Sequence, residues 1–220
     1  AVAVDVDQMA RRKRQLRQVR AREEQRRLRL VGIDHGFSFP LAYFEKHGLP
    51  HDWPAFLDDF QAHWPTDEEI YVSIVREGAL GSGAARCGNT RWRRLTELRA
   101  GGAKSVFHFD VQGQVATSTH AGLPWLRFLR RTLGERVHFW PFDGWQVPSD
   151  RSVIVEVYPA LWSRDFAPED RTPDQHDAYS VAAWTRQADA NGTLAEYFNP
   201  SLTDAERIAA NIEGWILGIK

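Results

Sequence analysis

The chain has 220 residues, of which 43% are apolar and 26% are charged, a composition typical of a globular protein with room for one large domain. Its net charge is −1, and its single cysteine, Cys87, excludes an internal disulfide and favours a reducing compartment. No stretch approaches the roughly 20 apolar residues of a membrane-spanning helix, and no secretory leader is recognisable. We therefore expect a cytoplasmic protein without a membrane partner.

Charge is distributed unevenly along the chain. Residues 8–30 contain ten arginine or lysine side chains and two glutamates, whereas residues 31–220 carry 18 basic and 25 acidic side chains, a net charge of −7. The pattern predicts a short strand over residues 1–6 and then a basic helix over residues 8–29, which includes Arg12 and Arg17. Such a block is typical of a solvated helix face and also of a helix that contacts phosphates.

The first half of the chain predicts one strand and several helices. Leu28–Ile33 is a nearly continuous apolar run, which indicates a strand buried on both faces. The residues that follow, 41–104, are predicted to be mostly helical. The predicted helices span residues 54–63, Ile70–Arg76 after a capping box at Thr66–Glu69, and about Trp92–Leu98 before Gly101 and Gly102.

The second half of the chain alternates strands with helices. In Ser152–Tyr158 the three valines point one way, and Ile154 and Glu156 point the other. Two further strands are predicted at Val106–Phe109 and Val137–Trp140, and a polar turn at Gly113–His120. Helices are predicted near Leu123–Leu133, after the Thr172 capping box and after the Thr203 capping box. This alternation indicates a single α/β domain over residues 1–220.

Three carboxylates occupy positions where an α/β fold places a functional site. Asp34 follows the first buried strand, where α/β sheets form a crevice. Glu156 lies on a buried strand, and Asp177 lies one turn inside a capped helix on the same face as Val181. Converging carboxylates repel one another unless a divalent cation neutralises them, and carboxylate oxygens suit Mg²⁺ or Mn²⁺. The pattern is consistent with metal-dependent phosphodiester hydrolysis.

Each of these carboxylates also has a structural interpretation. Asp34 is suited to capping a turn, Asp177 to an interaction with its own helix N-terminus, and Glu156 to a pair with an arginine. His35 and His176 adjoin two of the acids and are suited to orienting a water or a phosphate, although a histidine beside a glycine is also common in turns. The sequence alone leaves these alternatives open.

Five blocks in the same order from residue 31 to the C-terminus resemble the DUF429 family, whose members are described as predicted ribonuclease H-like nucleases. The blocks are Val31–Pro40, Trp140–Asp143, Val155–Leu161, His176–Ala183 and Glu213–Gly218. The resemblance implies a ribonuclease H-like mixed sheet flanked by helices. Within such a domain we expect residues 41–104 to form a mostly helical insertion or lid. The resemblance also places Asp34, Glu156 and Asp177 on the acidic positions of the family as catalytic residues and Mg²⁺ or Mn²⁺ ligands.

One feature departs from the ribonuclease H-like pattern, in which a leading aspartate lies on a first central strand ahead of a β-hairpin. Only residues 1–7 precede the basic helix here. Either residues 1–5 are that strand and supply Asp5 as a further metal ligand, or they end the hairpin and the leading aspartate lies outside this chain. The second alternative is favoured, and the sheet would then lack its first strands.

Two main functions are consistent with the sequence. A metal-dependent nuclease would use the acidic site, whereas a non-catalytic domain would bind nucleic acid or a partner protein through its basic residues. Phosphoryl transfer from a nucleotide is a weaker third candidate, because no nucleotide-binding loop is recognisable. The predicted nucleic-acid contacts are Arg12 and Arg17 in the basic helix and a second cluster at Arg86, Arg91, Arg93 and Arg94.

Overall fold

Three short strands form a parallel sheet at the centre of the described structure. The computed structural model describes residues 29–109 and 115–220. Its strands are β1 (Leu30–Ile33), β2 (Val137–Phe139) and β3 (Ser152–Glu156), in the order β1-β3-β2. Leu30 pairs with Val153 and Ile33 with Glu156, and Val137 pairs with Ser152 on the other side of β3. The described part of the chain is therefore an α/β structure with β3 in the middle of its sheet.

Helices cover both faces of this sheet. They are α1 (Leu41–His47), α2 (Trp53–His63), α3 (Val72–Arg76), α4 (Leu95–Arg99), α5 (Ala116–Leu133), α6 (Pro173–Ala190), α7 (Leu194–Tyr197) and α8 (Asp204–Glu213). Short 3₁₀ turns lie at Gly83–Arg86, Gly134–Arg136, Pro159–Leu161 and Ser163–Asp165. None of the helices within the described ranges is both long and apolar enough to cross a membrane.

The two faces of β3 contribute to two different hydrophobic cores. Ile154 packs into an aromatic core around Phe39, whose ring centroid lies 4.5 Å from that of Phe107 and 5.2 Å from that of Phe60. Val155 packs into the second core with Val181 of α6 and the fully buried Trp215. The alternation predicted for this strand is confirmed, because each face of an extended chain carries every second residue.

Several predicted elements are confirmed where the signal is local. Helix α2, strands β2 and β3, and the helices after Thr172 and Thr203 lie where the sequence predicts them. In both capping boxes the threonine side chain accepts a hydrogen bond from the backbone N–H three residues later. These side chains satisfy amides that would otherwise lack a partner at the helix start.

Other predictions are wrong for reasons that involve distant residues. Thr66 does not cap a helix, because its hydroxyl lies 3.0 Å from the carbonyl oxygen of His120, and α3 starts only at Val72. Residues 106–109 form no strand, and Phe107 is buried by ring packing on Phe39 and Tyr43. The turn predicted at residues 113–120 is helical from Ala116 onward. Helix α1 was not predicted.

Strand β1 is also less buried than its sequence predicts. Val31 is 42% exposed, and Gly32 is exposed as well. Within the described residues β1 pairs only with β3, and its other edge has no partner among them. The predicted strand at residues 1–6 and the basic helix, with Asp5, Arg12 and Arg17, lie outside the described residues.

Candidate functional site

A cleft lies between the sheet and helix α6. Its volume is about 940 Å³, and its floor is apolar, with Val153 and Val157 from the β3 region and Val181 from α6. Gly32 of β1 also lines this floor, and a Cβ there would meet the side chain of Val157 at 2.7 Å. The absence of a side chain at residue 32 therefore allows β1 to approach the neighbouring valine closely.

Three aspartates line one end of this cleft. Asp34 directly follows β1, where the backbone N–H of Val157 donates a 3.1 Å hydrogen bond to the carbonyl of Ile33. Asp174 and Asp177 lie in the first two turns of α6, three residues apart and therefore on one side of the helix. The Thr172 cap and Pro173 at the first helical position fix where this helix begins.

The electrostatics of Asp34 indicate an uncompensated acidic site. Its side chain is open to solvent on one side, yet the surrounding protein excludes water from the rest. This partial burial raises the pKa of Asp34 to about 6, and three negative charges add to the rise: Asp177, Glu156 and Asp174. Among the described residues no cation or hydrogen-bond donor is paired with the Asp34 carboxylate. A bound cation would relieve this repulsion.

Glu156 has a different environment from Asp34, because an arginine neutralises it. Its two oxygens accept hydrogen bonds from Arg94 at 2.6 and 2.7 Å, and the backbone N–H of Phe37 adds a third at 3.0 Å. Glu156 is 3% exposed and Arg94 is 1% exposed. Of the alternatives open for Glu156 in the sequence, the structure shows the arginine pair.

Arg94 is the centre of a larger buried network. Its Nε donates to Glu97 at 2.8 Å, and its guanidinium also reaches the carbonyl of Glu213 at 3.2 Å. The Glu213 carboxylate in turn accepts 2.7 Å hydrogen bonds from the backbone amides of Leu41 and Leu95. Burial raises the pKa of both Glu97 and Glu213, and Arg94 opposes that rise. The network joins α1, α4, β3 and α8.

The three predicted ligands therefore do not form one metal centre in the described part of the chain. Asp34 and Asp177 share the cleft, and Glu156 is bound by Arg94. Within residues 29–109 and 115–220, no group of three or more histidine, cysteine, aspartate or glutamate side chains is arranged to hold a metal ion. Arg94 already compensates the charge of Glu156. The carboxylates that remain available to bind a cation are therefore the aspartates of the cleft.

Each histidine beside these acids has one ring nitrogen close to a backbone carbonyl. His35 is buried, its Nδ1 lies 2.9 Å from the carbonyl of Gly36, and burial lowers its pKa, which keeps the ring neutral. The Nε2 of His176 lies 2.9 Å from the carbonyl of Ser163, and its Nδ1 is buried with no hydrogen-bond partner among the described residues. Both rings contribute to local packing and turn geometry.

The predicted arginine cluster does not form a continuous basic surface. Arg94 is in the core, and Arg93 donates to the carbonyls of Glu97 and Ala103, at 2.6 Å each. Arg86 forms a two-pronged pair with Asp59 at 2.6 and 2.7 Å. Arg91 alone of these four is exposed. This departs from the predicted nucleic-acid contact, because three of the four guanidinium groups already have partners within the protein.

A different set of arginines lines the cleft and was not predicted as a group. Arg29, Arg151 and Arg186 lie around the end that is opposite the aspartates, beside the starts of β1 and β3 and the last turns of α6. None of the three forms an ion pair with a described residue. Arg29 and Asp34 are five positions apart, which corresponds to about 17 Å along an extended strand. The cleft thus has an acidic end and an end at which three arginines outnumber one aspartate, Asp189.

No local sequence pattern predicts that Arg29, Arg151 and Arg186 lie close together, because their proximity depends on how the strands and α6 pack. The Asp174–Asp177 pair is the exception, because its spacing after a capping box places both acids on one helix face.

A comparison of the chain with protein-family models, with curated proteins and with solved structures finds no match.

Proposed function

We propose that this protein is a divalent-cation-dependent nuclease with a ribonuclease H-like fold that acts in the cytoplasm. The observation that carries the proposal is the cleft, whose floor is apolar. Among the described residues, the carboxylates at one end have no compensating partner and the arginines at the other end have no ion pair. A nucleic-acid strand offers phosphates to both ends and bases or sugars to the floor.

In this proposal Asp34 and Asp177 hold Mg²⁺ or Mn²⁺, with Asp174 at the rim. The chemistry that such a cation supplies is Lewis-acid polarisation of a phosphodiester. Glu156 is a positioning residue, since it binds the Phe37 amide just beyond Asp34 and is itself held by Arg94. Arg29, Arg151 and Arg186 bind phosphates away from the cleaved bond and orient the strand along the cleft.

The proposal is tested by cation binding and by cleavage, measured on the same variants. Calorimetric titration with Mn²⁺ should show binding that Asp34→Asn and Asp177→Asn each weaken about tenfold or more, because each removes a charged ligand. Asp189→Asn is the matched control, because this aspartate lies on the same helix at the opposite end of the cleft. Equal binding by all four proteins would contradict the metal site.

Cleavage is measured on end-labelled DNA and RNA oligonucleotides with Mg²⁺ or Mn²⁺. Asp34→Asn should abolish cleavage, and the double variant Arg151→Ala/Arg186→Ala should raise KM and flatten its salt dependence, because phosphate contacts release counterions. Cleavage that persists in Asp34→Asn would contradict the proposal.

A second candidate is a non-catalytic domain that binds nucleic acid or a partner protein. The Arg94–Glu156 pair favours it, because it removes one carboxylate from the predicted metal centre. This candidate predicts salt-sensitive binding without turnover, and binding that does not change in Asp34→Asn. The same two assays therefore separate the two functions.

A further inference from the structure

Lys46 and Cys87 form a close pair at the protein surface. The Nζ of Lys46 lies 3.7 Å from the Sγ of Cys87 and donates a 3.3 Å hydrogen bond to the carbonyl of the same residue. The Nε2 of His47 lies 3.0 Å from that carbonyl. Two consecutive residues at the end of α1 therefore hold the backbone of Cys87, and the amine of Lys46 lies beside the thiol.

Lys46 is more restrained than an exposed lysine usually is. Its ammonium also lies 5.5 Å from the centre of the Trp92 ring, within the range of a cation–π contact. Cys87 is exposed, so a small dissolved oxidant can reach its sulfur. It is also the single cysteine of the chain, so an oxidised sulfur cannot form an internal disulfide. The amine of Lys46 is therefore well placed to react with an oxidised Cys87.

A buried hydroxyl near this pair lacks a hydrogen-bond partner. Tyr43 is completely buried, and its ring centroid lies 4.5 Å from that of His47. No described residue forms a hydrogen bond with the Tyr43 hydroxyl. Other ionisable groups that act on this hydroxyl are Asp59, Arg86 and Cys87, so the hydroxyl lies on the side of Cys87. A thiol is a weak acceptor, whereas an oxygen bound to the sulfur is the kind of acceptor that this hydroxyl lacks.

We propose that hydrogen peroxide converts Lys46 and Cys87 into a sulfenamide, with a covalent bond between Nζ and Sγ. In the first step the thiolate attacks one peroxide oxygen and the O–O bond breaks, so the sulfur is oxidised to a sulfenic acid and the peroxide is reduced. The hydroxide that leaves takes a proton from the Lys46 ammonium and becomes water. In the second step the neutral amine attacks the sulfur, the S–O bond breaks, and the hydroxide leaves with an amine proton as a second water.

The product is a reversible cross-link within the chain. It joins the end of α1 to the residue after the Gly83–Arg86 turn, and it closes a loop that contains α2 and α3. Two thiols of a reductant restore the amine and the Cys87 thiol and leave as a disulfide. This chemistry depends neither on the proposed nuclease site nor on a bound cation.

The test is mass spectrometry of the full chain after treatment with hydrogen peroxide at pH 8. The bond removes two hydrogens, so the mass should fall by about 2 Da and return to its original value with dithiothreitol. Tryptic peptides that contain residues 46 and 87 should be recovered as one linked species.

Lys46→Arg keeps the charge and removes the amine. In this variant the mass should rise by about 16 Da or more, and dimedone, which reacts with sulfenic acids, should label Cys87. Lys104→Arg is the matched control, since it makes the same exchange at another exposed lysine, and it should lose about 2 Da like the unmodified chain.

Three results would overturn the proposal. A gain in mass of the unmodified chain without a link between the two peptides would show that Cys87 is oxidised alone. A loss of about 2 Da in Lys46→Arg would show that a different nitrogen bonds the sulfur. A linked species about 14 Da heavier than the reduced chain would show that an oxygen atom lies between the nitrogen and the sulfur.

Discussion

Asp34 shows how a candidate ligand lowers the stability of the protein that carries it. Its pKa of about 6 lies above the value near 4 of an unfolded aspartate, so between these two values the folded state binds more protons than the unfolded state. Below about pH 4 Asp34 therefore does not lower the free energy of unfolding. As the pH rises from about 4 through 6, Asp34 lowers this free energy increasingly. Above this window the folded protein holds a negative charge at Asp34 that no described residue compensates.

Replacing Asp34 should accordingly stabilise the protein at high pH. Asp34→Asn should raise the free energy of unfolding by roughly 1 kcal/mol at pH 8 and leave it unchanged at pH 4, because solvent screens part of the repulsion. Urea unfolding at the two pH values measures the difference. Asp189→Asn should change little at either pH, and a loss of stability in Asp34→Asn at pH 8 would show that the carboxylate has a partner.

Arg94 has the opposite role, since it compensates charge that is already buried. Arg94→Met should lower the free energy of unfolding by about 3–5 kcal/mol, because Glu97 and Glu156 would remain buried without a cation. Adding Glu156→Gln to this variant should recover part of the loss. Urea unfolding measures both variants.

The control for Arg94 is Arg131, which pairs with Asp58 and is 58% exposed. Arg131→Ala should cost about 0.5 kcal/mol or less, because exposed ion pairs contribute little. Similar losses in Arg94→Met and Arg131→Ala would indicate that the buried network does not stabilise the fold.

At the scale of elements, helix α6 depends on its cap. The N–H of Gln175 donates to the Thr172 hydroxyl at 3.4 Å, and the Gln175 side chain accepts from the N–H of Thr172 at 3.0 Å. Thr172→Ala should destabilise the protein by about 1 kcal/mol, and Thr172→Ser should retain most of the cap. Thermal unfolding followed by circular dichroism compares the two. Equal losses in both variants would contradict the capping role.

The sequence predicts those elements whose signals are confined to a few neighbouring residues. The Thr172 and Thr203 boxes each act over three residues, and the valine alternation of β3 is complete within the strand itself. Helix α1 was missed because Pro40, at its N-cap position, offers no side-chain cap. Thr66 misled the prediction because its hydroxyl bonds a carbonyl 54 residues away.

In the candidate site, too, residues placed by local signals can be predicted from the sequence and residues placed by long-range contacts cannot. Asp34 and Asp177 could be selected from the sequence, because a strand end and a capped helix place them locally. The pairing of Arg94 with Glu156 spans 62 residues, and its contact with Glu213 spans 119, so no local pattern reveals that this arginine is buried. The arginines of the cleft meet only after β1, β3 and α6 have packed.

At the scale of the whole molecule, the two hydrophobic cores share β3 and should unfold together. Ile154 belongs to one core and Val155 to the other, so neither core keeps its packing if this strand is lost. Urea unfolding followed by tryptophan fluorescence and by far-ultraviolet circular dichroism should give the same midpoint. Two separate midpoints would show that the cores are independent.

The buried network around Arg94 also limits how this protein can change in evolution. Residues 41–104 supply the only positive charge that the structure shows against Glu156 within the described residues, so this segment is an integral part of the core. A relative in which a deletion in this segment removes Arg94 would leave Glu156 buried without its partner. Such a relative should carry an uncharged residue in place of Glu156. Insertions should therefore be tolerated in the exposed turn at residues 77–80 and not next to Arg94. Arg94 and Glu156 should be inherited or lost as a pair.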